Sequence, residues 1–334
     1  MLLYPLKFRP RLVEKMWGGR KLQTVLGKAL PPDKPIGESW ELYDFPPGVV
    51  EGSSDWVSSE IANGPLAGRS LHWAVGEFGS DLYGLASLAG DRGQFPILIK
   101  FLDAREDLSV QVHPDEKYAS ANPGAHLKSE AWYVLQSDPG SRILNGLQPG
   151  TTKDAFEKAI ENGTVEQIIE SVPVHENDCF YLPSGTVHAL GAGILVAEVQ
   201  TPSDTTFRVF DFNRVDPSTG QQRSLHVKQA LQCIDFFGRQ PDAEANAFNL
   251  RLVTSPYFHL QRHHLHPGAD HPLPAAEPIV LIVTQGAMEI ETYVAAGTVG
   301  AARGEVILIP AGASKPLIKT ATGCAWLQVS FPGK

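Results

Sequence analysis

The chain is predicted to be mainly all-β, two jelly-roll barrels in series with a short helical insertion in the first. Three observations carry that expectation. Short segments of β-type residues, bounded by Pro and Gly, recur through most of the 334 residues, a spacing that suits jelly rolls. The stretch Glu176-Asn177-Asp178-Cys179-Phe180-Tyr181-Leu182-Pro183-Ser184-Gly185-Thr186 aligns with Arg303-Gly304-Glu305-Val306-Ile307-Leu308-Ile309-Pro310-Ala311-Gly312-Ala313. A turn, a strand and a Pro-small-Gly-small corner therefore occur twice, which predicts two related β units. Helical periodicity is confined to a few short stretches.

Taken in order, residues 4–60 read as strands and turns, with Trp17-Gly18-Gly19 at a tight turn and Gly37–Leu42 alternating like a strand. Leu71, Val75 and Phe78 give 69–87 the first helical spacing. Pro96–Ala104 is a strongly apolar strand interrupted by Lys100, which is either at a solvent-facing edge or aimed into a polar cavity. Thr151 or Thr152 caps a helical stretch at about 152–171, with Phe156, Ala159 and Ile160 on one side and a break at Gly163. That stretch is read as a connection packed on the sheet, with a lid as the alternative. Residues 174–237 read as strands again, and the small, polar run 239–248 reads as a linker. The expected division is a catalytic barrel over 1–238 and a β domain over 248–334.

Two domains fit the length, and a hydrophobic content of 43% provides for a sizeable core. The formal net charge of −9 argues against nucleic acid or an anionic membrane as partner. It leaves an anionic substrate open, because a few local cations suffice. Cys179, Cys233 and Cys324 are widely spaced and odd in number, which reads as reduced thiols in a cytoplasmic protein. The stretch Met1–Lys7 reads as too short and too broken for a signal segment, and no apolar run approaches the ~18 residues of a membrane span.

The chemistry is concentrated in Leu108-Ser109-Val110-Gln111-Val112-His113-Pro114. With a period of two, Val110 and Val112 face one side and Ser109, Gln111 and His113 the other. Glu130 heads a second strand, and His188 follows the Pro183-Ser184-Gly185-Thr186 corner. Gln111, His113, Glu130 and His188 on successive strands of one sheet make a four-ligand metal site. Two imidazoles, a carboxylate and an amide, without a thiolate, suit Zn²⁺, Fe²⁺ or Mn²⁺. A strand, a Pro-x-Gly corner and a following His are the signature of the cupin form of the jelly roll. In the second unit His264-x-His266 and Glu277 echo the first set, but Lys315 stands where His188 would, so no metal is expected there.

Gln111-Val112-His113-Pro114, Lys128-Ser129-Glu130, Pro183–Ala189 and Thr206-Phe207-Arg208-Val209-Phe210-Asp211 together resemble the type I mannose-6-phosphate isomerases, in particular the short bacterial form. The resemblance runs from Trp17 to about Phe237. Ser129 departs from it, since Pro or Thr often stands there, and nothing carries over to the C-terminal region. It implies one zinc per chain on Gln111, His113, Glu130 and His188, a catalytic arginine at Arg208, and interconversion of mannose 6-phosphate and fructose 6-phosphate. Such a reaction moves a proton between C1 and C2 through an enediolate and needs phosphate anchors. Lys100 and Ser109 are the anchors expected here. Lys128 is a proton-transfer or phosphate residue at the rim, Trp17 a floor for the sugar, and Glu41 a weaker acid/base candidate. The expected partner is a hexose 6-phosphate, with the protein as monomer or homodimer. An iron dioxygenase on the same four ligands and a non-catalytic sugar-phosphate binder are the competing readings.

Overall fold

The computed structural model describes residues 3–84, 90, 92–216, 220–237, 250–293 and 297–332. In chain order the first half provides β1 (Arg11–Gly19), β2 (Ile36–Leu42), β3 (Leu98–Ala104), β4 (Val110–Val112), β5 (Glu130–Ser137), β6 (Arg142–Leu147), α1 (Lys153–Glu161), β7 (Ile169–Pro173), β8 (Cys179–Leu182), β9 (His188–Leu190), β10 (Ile194–Gln200), β11 (Phe207–Phe210) and α2 (Val227–Cys233). The second half is built on β12 (His259–Leu265), β13 (Ile279–Glu291), β14 (Val306–Ile309) and β15 (Cys324–Ser330). The expected linker and both expected domain ends lie outside the described residues, as do residues 85–87 of the first helical stretch. No helix among the described residues is long and apolar enough to cross a membrane.

Two sheets face each other in the first half. One has the order β8-β5-β10-β3-β1-β2, the other β7-β6-β9-β4-β11. The ligand candidates are thus not on one sheet: Gln111 and His188 lie in the five-stranded sheet, Glu130 in the six-stranded one. Long-range pairing separated what chain order had grouped.

The central strands of the six-stranded sheet, β3, β5 and β10, are buried on both faces, which is why they read as nearly unbroken apolar runs. Ile99 and Phe101 of β3, Ala131, Tyr133 and Leu135 of β5, and Leu195, Ala197 and Val199 of β10 belong to one outer core. That core continues into Leu260, Val280, Ile282, Leu308, Leu327 and Val329 of the second half. The alternate residues point into the barrel. Toward one end these are apolar, with Leu102, Ala104, Trp132, Val134, Ile194 and Val196. Toward the other they are Lys100, Glu130 and Glu198, all buried. The change from apolar to charged along each strand makes the floor of a pocket.

The outer face of the five-stranded sheet buries Val110, Val112, Val187, Ala189 and Val209 under Phe156 and Ala159 of α1 and Ala230 and Cys233 of α2. α1 starts at Thr152, whose hydroxyl accepts from the Ala155 N–H, a cap of the sort that contributes ~1 kcal/mol. It is a connection packed on the sheet. The chain leaves α1 through Gly163 (φ 68°), makes one short 3-10 turn and enters β7 at Ile169, so the expected continuation of the helix is a strand. α2 was read as strand, being only seven residues long.

The repeat is visible in the pairing. The order β14-β13-β15-β12 in the second half matches β8-β5-β10-β3 in the first. Leu182 pairs with Glu130, and its counterpart Ile309 pairs with Ile279. The residue in the place of Glu130 is therefore Ile279, not Glu277, and an isoleucine ligates nothing. Ile279, Leu281, Val283, Ile307, Ile309 and Trp326 fill the second barrel with apolar core. His264 and His266 are exposed.

Candidate functional site

Two rows of side chains face each other across the open end of the first barrel. On the five-stranded sheet, His188 pairs with Gln111 and Gln111 with Arg208. On the six-stranded sheet, Trp132 pairs with Glu198, Glu198 with Lys100 and Lys100 with Trp40. Between them lies a cavity of about 560 Å³, lined among others by Lys15, Trp17, Glu38, Lys100, Ser109, Gln111, Lys128, Glu198, Arg208, Arg223 and His226. Trp17 packs directly on Gly37, where a Cβ would come within 2.6 Å of the indole ring.

Directly behind Gln111 and Lys128, fully buried, are His113, Glu130 and His188. Each offers one ligand atom, and these atoms lie within 4.8 Å of one another. His188 Nε2 is 3.1 Å from Glu130 Oε1, and His113 Nε2 is 3.5 Å from Oε2. The other nitrogen of each ring fixes the tautomer. His113 Nδ1 is 3.0 Å from the Thr205 carbonyl and His188 Nδ1 is 2.9 Å from the Thr186 carbonyl. A carbonyl only accepts, so both protons are on Nδ1 and both Nε2 lone pairs are turned toward the carboxylate. Among the described residues Glu130 Oε1 has no hydrogen-bond donor, whereas Oε2 lies 2.8 Å from the Lys128 ammonium.

Acceptors turned toward one another in a dry interior are unfavourable unless a cation lies between them. Lys128 supplies one to Glu130 Oε2 and His113 Nε2, but among the described residues none reaches Glu130 Oε1 and His188 Nε2, which face each other at 3.1 Å. The carbonyl-held imidazoles are the usual outer shell of metal-ligating histidines. The donor set therefore fits a metal ion. Gln111 Nε2 lies 3.3 Å from His188 Nε2, and turning the amide over presents Oε1 instead, since amide orientation is an assignment. Burial, followed by the nearby Lys128, pushes the His113 imidazole down to about 3. Burial opposes ionisation of Glu130, but Lys128 and the imidazoles outweigh it and hold the carboxyl well below its ordinary value. A neutral imidazole and an ionised carboxylate are the forms that bind metal.

Lys128 points inward, with Nζ 2.8 Å from Glu130 Oε2 and 3.0 Å from His113 Nε2. Residues two apart share a face, so its place beside Glu130 follows from alternation. Lys100 faces the cavity and not an edge. Its ammonium lies 3.2 Å from Glu198 and 3.8 Å from Glu38. Burial works against that charge, but the two carboxylates overcome it and raise the Lys100 pKa. Ser109 Oγ accepts from Arg208 Nε at 3.2 Å.

The structure does not bring Glu41 to this cavity. It lies on the opposite face of β2, ion-paired to Lys28 at 2.7 Å and bonded by Ser39. The carboxylate that reaches the cavity from β2 is Glu38, which accepts from Trp40 Nε1 at 2.7 Å and pairs with Lys15 at 3.1 Å. Burial disfavours its charge, yet Lys100 and Lys15 bring the carboxyl down to about 2. Glu198 was also missed, although it has the same signature as Lys100, one charge in an otherwise apolar strand.

Charge is divided along the cavity. Near the buried triad, Glu38, Glu130, Glu198 and Asp204 are set against Lys15, Lys100 and Lys128. At the opposite end Asp211 is shared by Arg214 and, through two hydrogen bonds, by Arg223. Arg208 makes no ion pair among the described residues, and Nη1 donates to the Ser224 carbonyl at 2.9 Å. Arg208 and Arg223 line the cavity here, and with Arg214 beside Asp211 three guanidiniums share one carboxylate around Arg208.

Fold and site together define a two-barrel cupin with a buried His–Glu–His group in its first barrel. Residues 6–141 match the description of the phosphomannose isomerase type I catalytic domain. The chain is 38% identical over 234 residues to the probable mannose-6-phosphate isomerase GmuF of Bacillus subtilis, covering 70% of this chain and 69% of that one. It is 35% identical over 260 residues to the mannose-6-phosphate isomerase of Streptococcus mutans, covering 76% and 77%. The crystal structure of the mannose 6-phosphate isomerase from Bacillus subtilis superposes with a TM-score of 0.82 at 27% identity, over 97% of this chain and 99% of that one. The chain belongs to the type I mannose-6-phosphate isomerase family and is an enzyme of the isomerase class.

Proposed function

We propose that the protein interconverts mannose 6-phosphate and fructose 6-phosphate, with one zinc ion per chain held by His113, Glu130, His188 and the amide oxygen of Gln111. The observation that carries this reading is the pairing of a buried set of acceptors with an arginine-rich end across one cavity. Nitrogen and oxygen donors without a thiolate accommodate zinc. When bound, the ion supplies Lewis-acid polarisation of a sugar oxygen. The rest falls to the chain. A proton leaves C2 of the open-chain aldose and is returned to C1, while a hydroxyl proton passes from O2 to O1, through an enediolate. Lys128, beside the triad and on the cavity wall, is the proposed proton-transfer residue. Arg208, opposite Gln111 in register, is proposed to stabilise the enediolate charge.

Lys100 keeps a substrate-binding role but not the phosphate, because Glu38 and Glu198 already neutralise it; with Trp17 as floor it holds the sugar hydroxyls. The phosphate belongs at the arginine-rich end, with Ser109 beside it. We further propose a catalytic unit over 1–238 and a metal-free unit over 248–334, supported by the repeated strand order and by Ile279. The buried free cysteines support a reducing, cytoplasmic setting, and the protein is proposed to act as a monomer or homodimer.

The test is a coupled assay with simultaneous oxygen measurement. Fructose 6-phosphate is expected to form from mannose 6-phosphate with no oxygen consumed. Oxygen uptake without that product assigns the iron dioxygenase instead. Binding of the sugar phosphate without turnover assigns a non-catalytic binder.

A further inference from the structure

His226 stands at the arginine-rich end of the cavity, at the entry to α2. Its backbone N–H donates to the Arg208 carbonyl at 2.7 Å. In return the Arg208 backbone N–H donates to His226 Nδ1 at 3.3 Å. A peptide N–H only donates, so Nδ1 must be an unprotonated acceptor. The proton is then on Nε2, on the far edge of the ring from β11. That nitrogen has no partner among the described residues, although the ring lines the cavity. Burial, then Arg208, lowers the His226 pKa, which keeps the ring neutral. Protonating Nδ1 would also break the bond to the Arg208 N–H. A fixed tautomer thus leaves one N–H donor for whatever occupies that end.

We infer that His226 is a specificity-determining residue, a neutral Nε2–H donor to the phosphate of the substrate. This rests on the isomerase reading above. Arg208, Arg214 and Arg223 supply charge that any anion would feel, but charge alone does not distinguish a phosphate from a carboxylate. A donor held in one direction by the backbone does, because it must meet an oxygen of the tetrahedral group. The arrangement also couples the donor to Arg208: the same two-way backbone contact that orients the ring fixes the strand carrying the guanidinium.

Two substitutions separate this role from a structural one. In His226→Asn the amide oxygen replaces Nδ1, so the bond from the Arg208 N–H survives while the outward donor is lost. In His226→Gln the longer side chain places an amide N–H near the position of Nε2 and gives up the Nδ1 acceptor. Steady-state kinetics with mannose 6-phosphate on zinc-replete protein and calorimetric binding of inorganic phosphate would be measured for both. Loss of a hydrogen bond to a charged group is typically worth roughly ten- to a hundred-fold in affinity. His226→Asn is expected to raise KM and the phosphate Kd by that factor with kcat within a few-fold, while His226→Gln, which keeps a donor but loses the backbone hold, is impaired clearly less. The reverse ranking, equal impairment of both, or a fall in kcat in place of the rise in KM makes His226 a brace for Arg208 and overturns the inference. So does an unchanged phosphate Kd in both. If the unaltered protein fails to isomerise mannose 6-phosphate, the isomerase reading fails by itself, and phosphate binding still reports on His226.

Discussion

His188→Ala is expected to strip the metal and reduce isomerase activity by at least roughly 10³-fold, since a bound divalent ion supplies several kcal/mol of transition-state stabilisation. The imidazole turns Nε2 toward Glu130 Oε1, which has no hydrogen-bond donor among the described residues, and its loss leaves only two of the three facing ligands. The fold should survive, because Val187 and Ala189 are buried in the outer cluster and Leu190 in the barrel, all independent of the ring. Metal analysis should fall from one ion per chain to near zero with the far-ultraviolet circular dichroism unchanged. The double substitution His264→Ala, His266→Ala should leave metal content as it was, because Ile279 occupies the carboxylate position of that unit. Two tightly bound ions in the unaltered protein would contradict this.

Arg208→Ala is expected to lower kcat and kcat/KM together, by about 10²–10³-fold, the usual effect of removing one donor that acts on charge developed in the transition state. Arg208 is adjacent in register to Gln111 and is braced by Ser109 and Ser224. It makes no ion pair among the described residues, and Asp211 is engaged instead by Arg214 and Arg223. Arg208→Lys should also be impaired, as one ammonium cannot reproduce a planar two-pronged donor. The measurement is steady-state kinetics with metal content determined in parallel. A kcat within a few-fold of wild type together with a raised KM would make Arg208 a phosphate anchor only.

What the sequence made legible was local. Alternation across residues 109–113 set Gln111 and His113 on the polar side and Val110 and Val112 on the apolar one, and the Pro-x-Gly corner pointed to His188. The Gly185 of that corner has a φ of 88°, a conformation that favours glycine. The missing part depended on contacts between distant strands. The choice between Glu38 and Glu41 turns on one residue of register between β2 and β3, and a slip of one exchanges the two faces. Lys100 looked like a phosphate anchor because Glu198, its buried partner, comes 98 residues later and nothing local announces the pairing. Lys128 was legible in principle, being two residues from Glu130. His226 was hidden because its role arises from a reciprocal backbone contact with Arg208, which only the packing of α2 against β11 creates.

A metal at His113, Glu130 and His188 is proposed to drive aldose–ketose isomerisation. That role is tested most directly by assaying conversion of mannose 6-phosphate to fructose 6-phosphate before chelation, after chelation, and after addition of stoichiometric zinc. Activity is expected to vanish on chelation while the protein remains folded, and to return with one zinc per chain. Undiminished conversion by protein shown to be free of metal would contradict it.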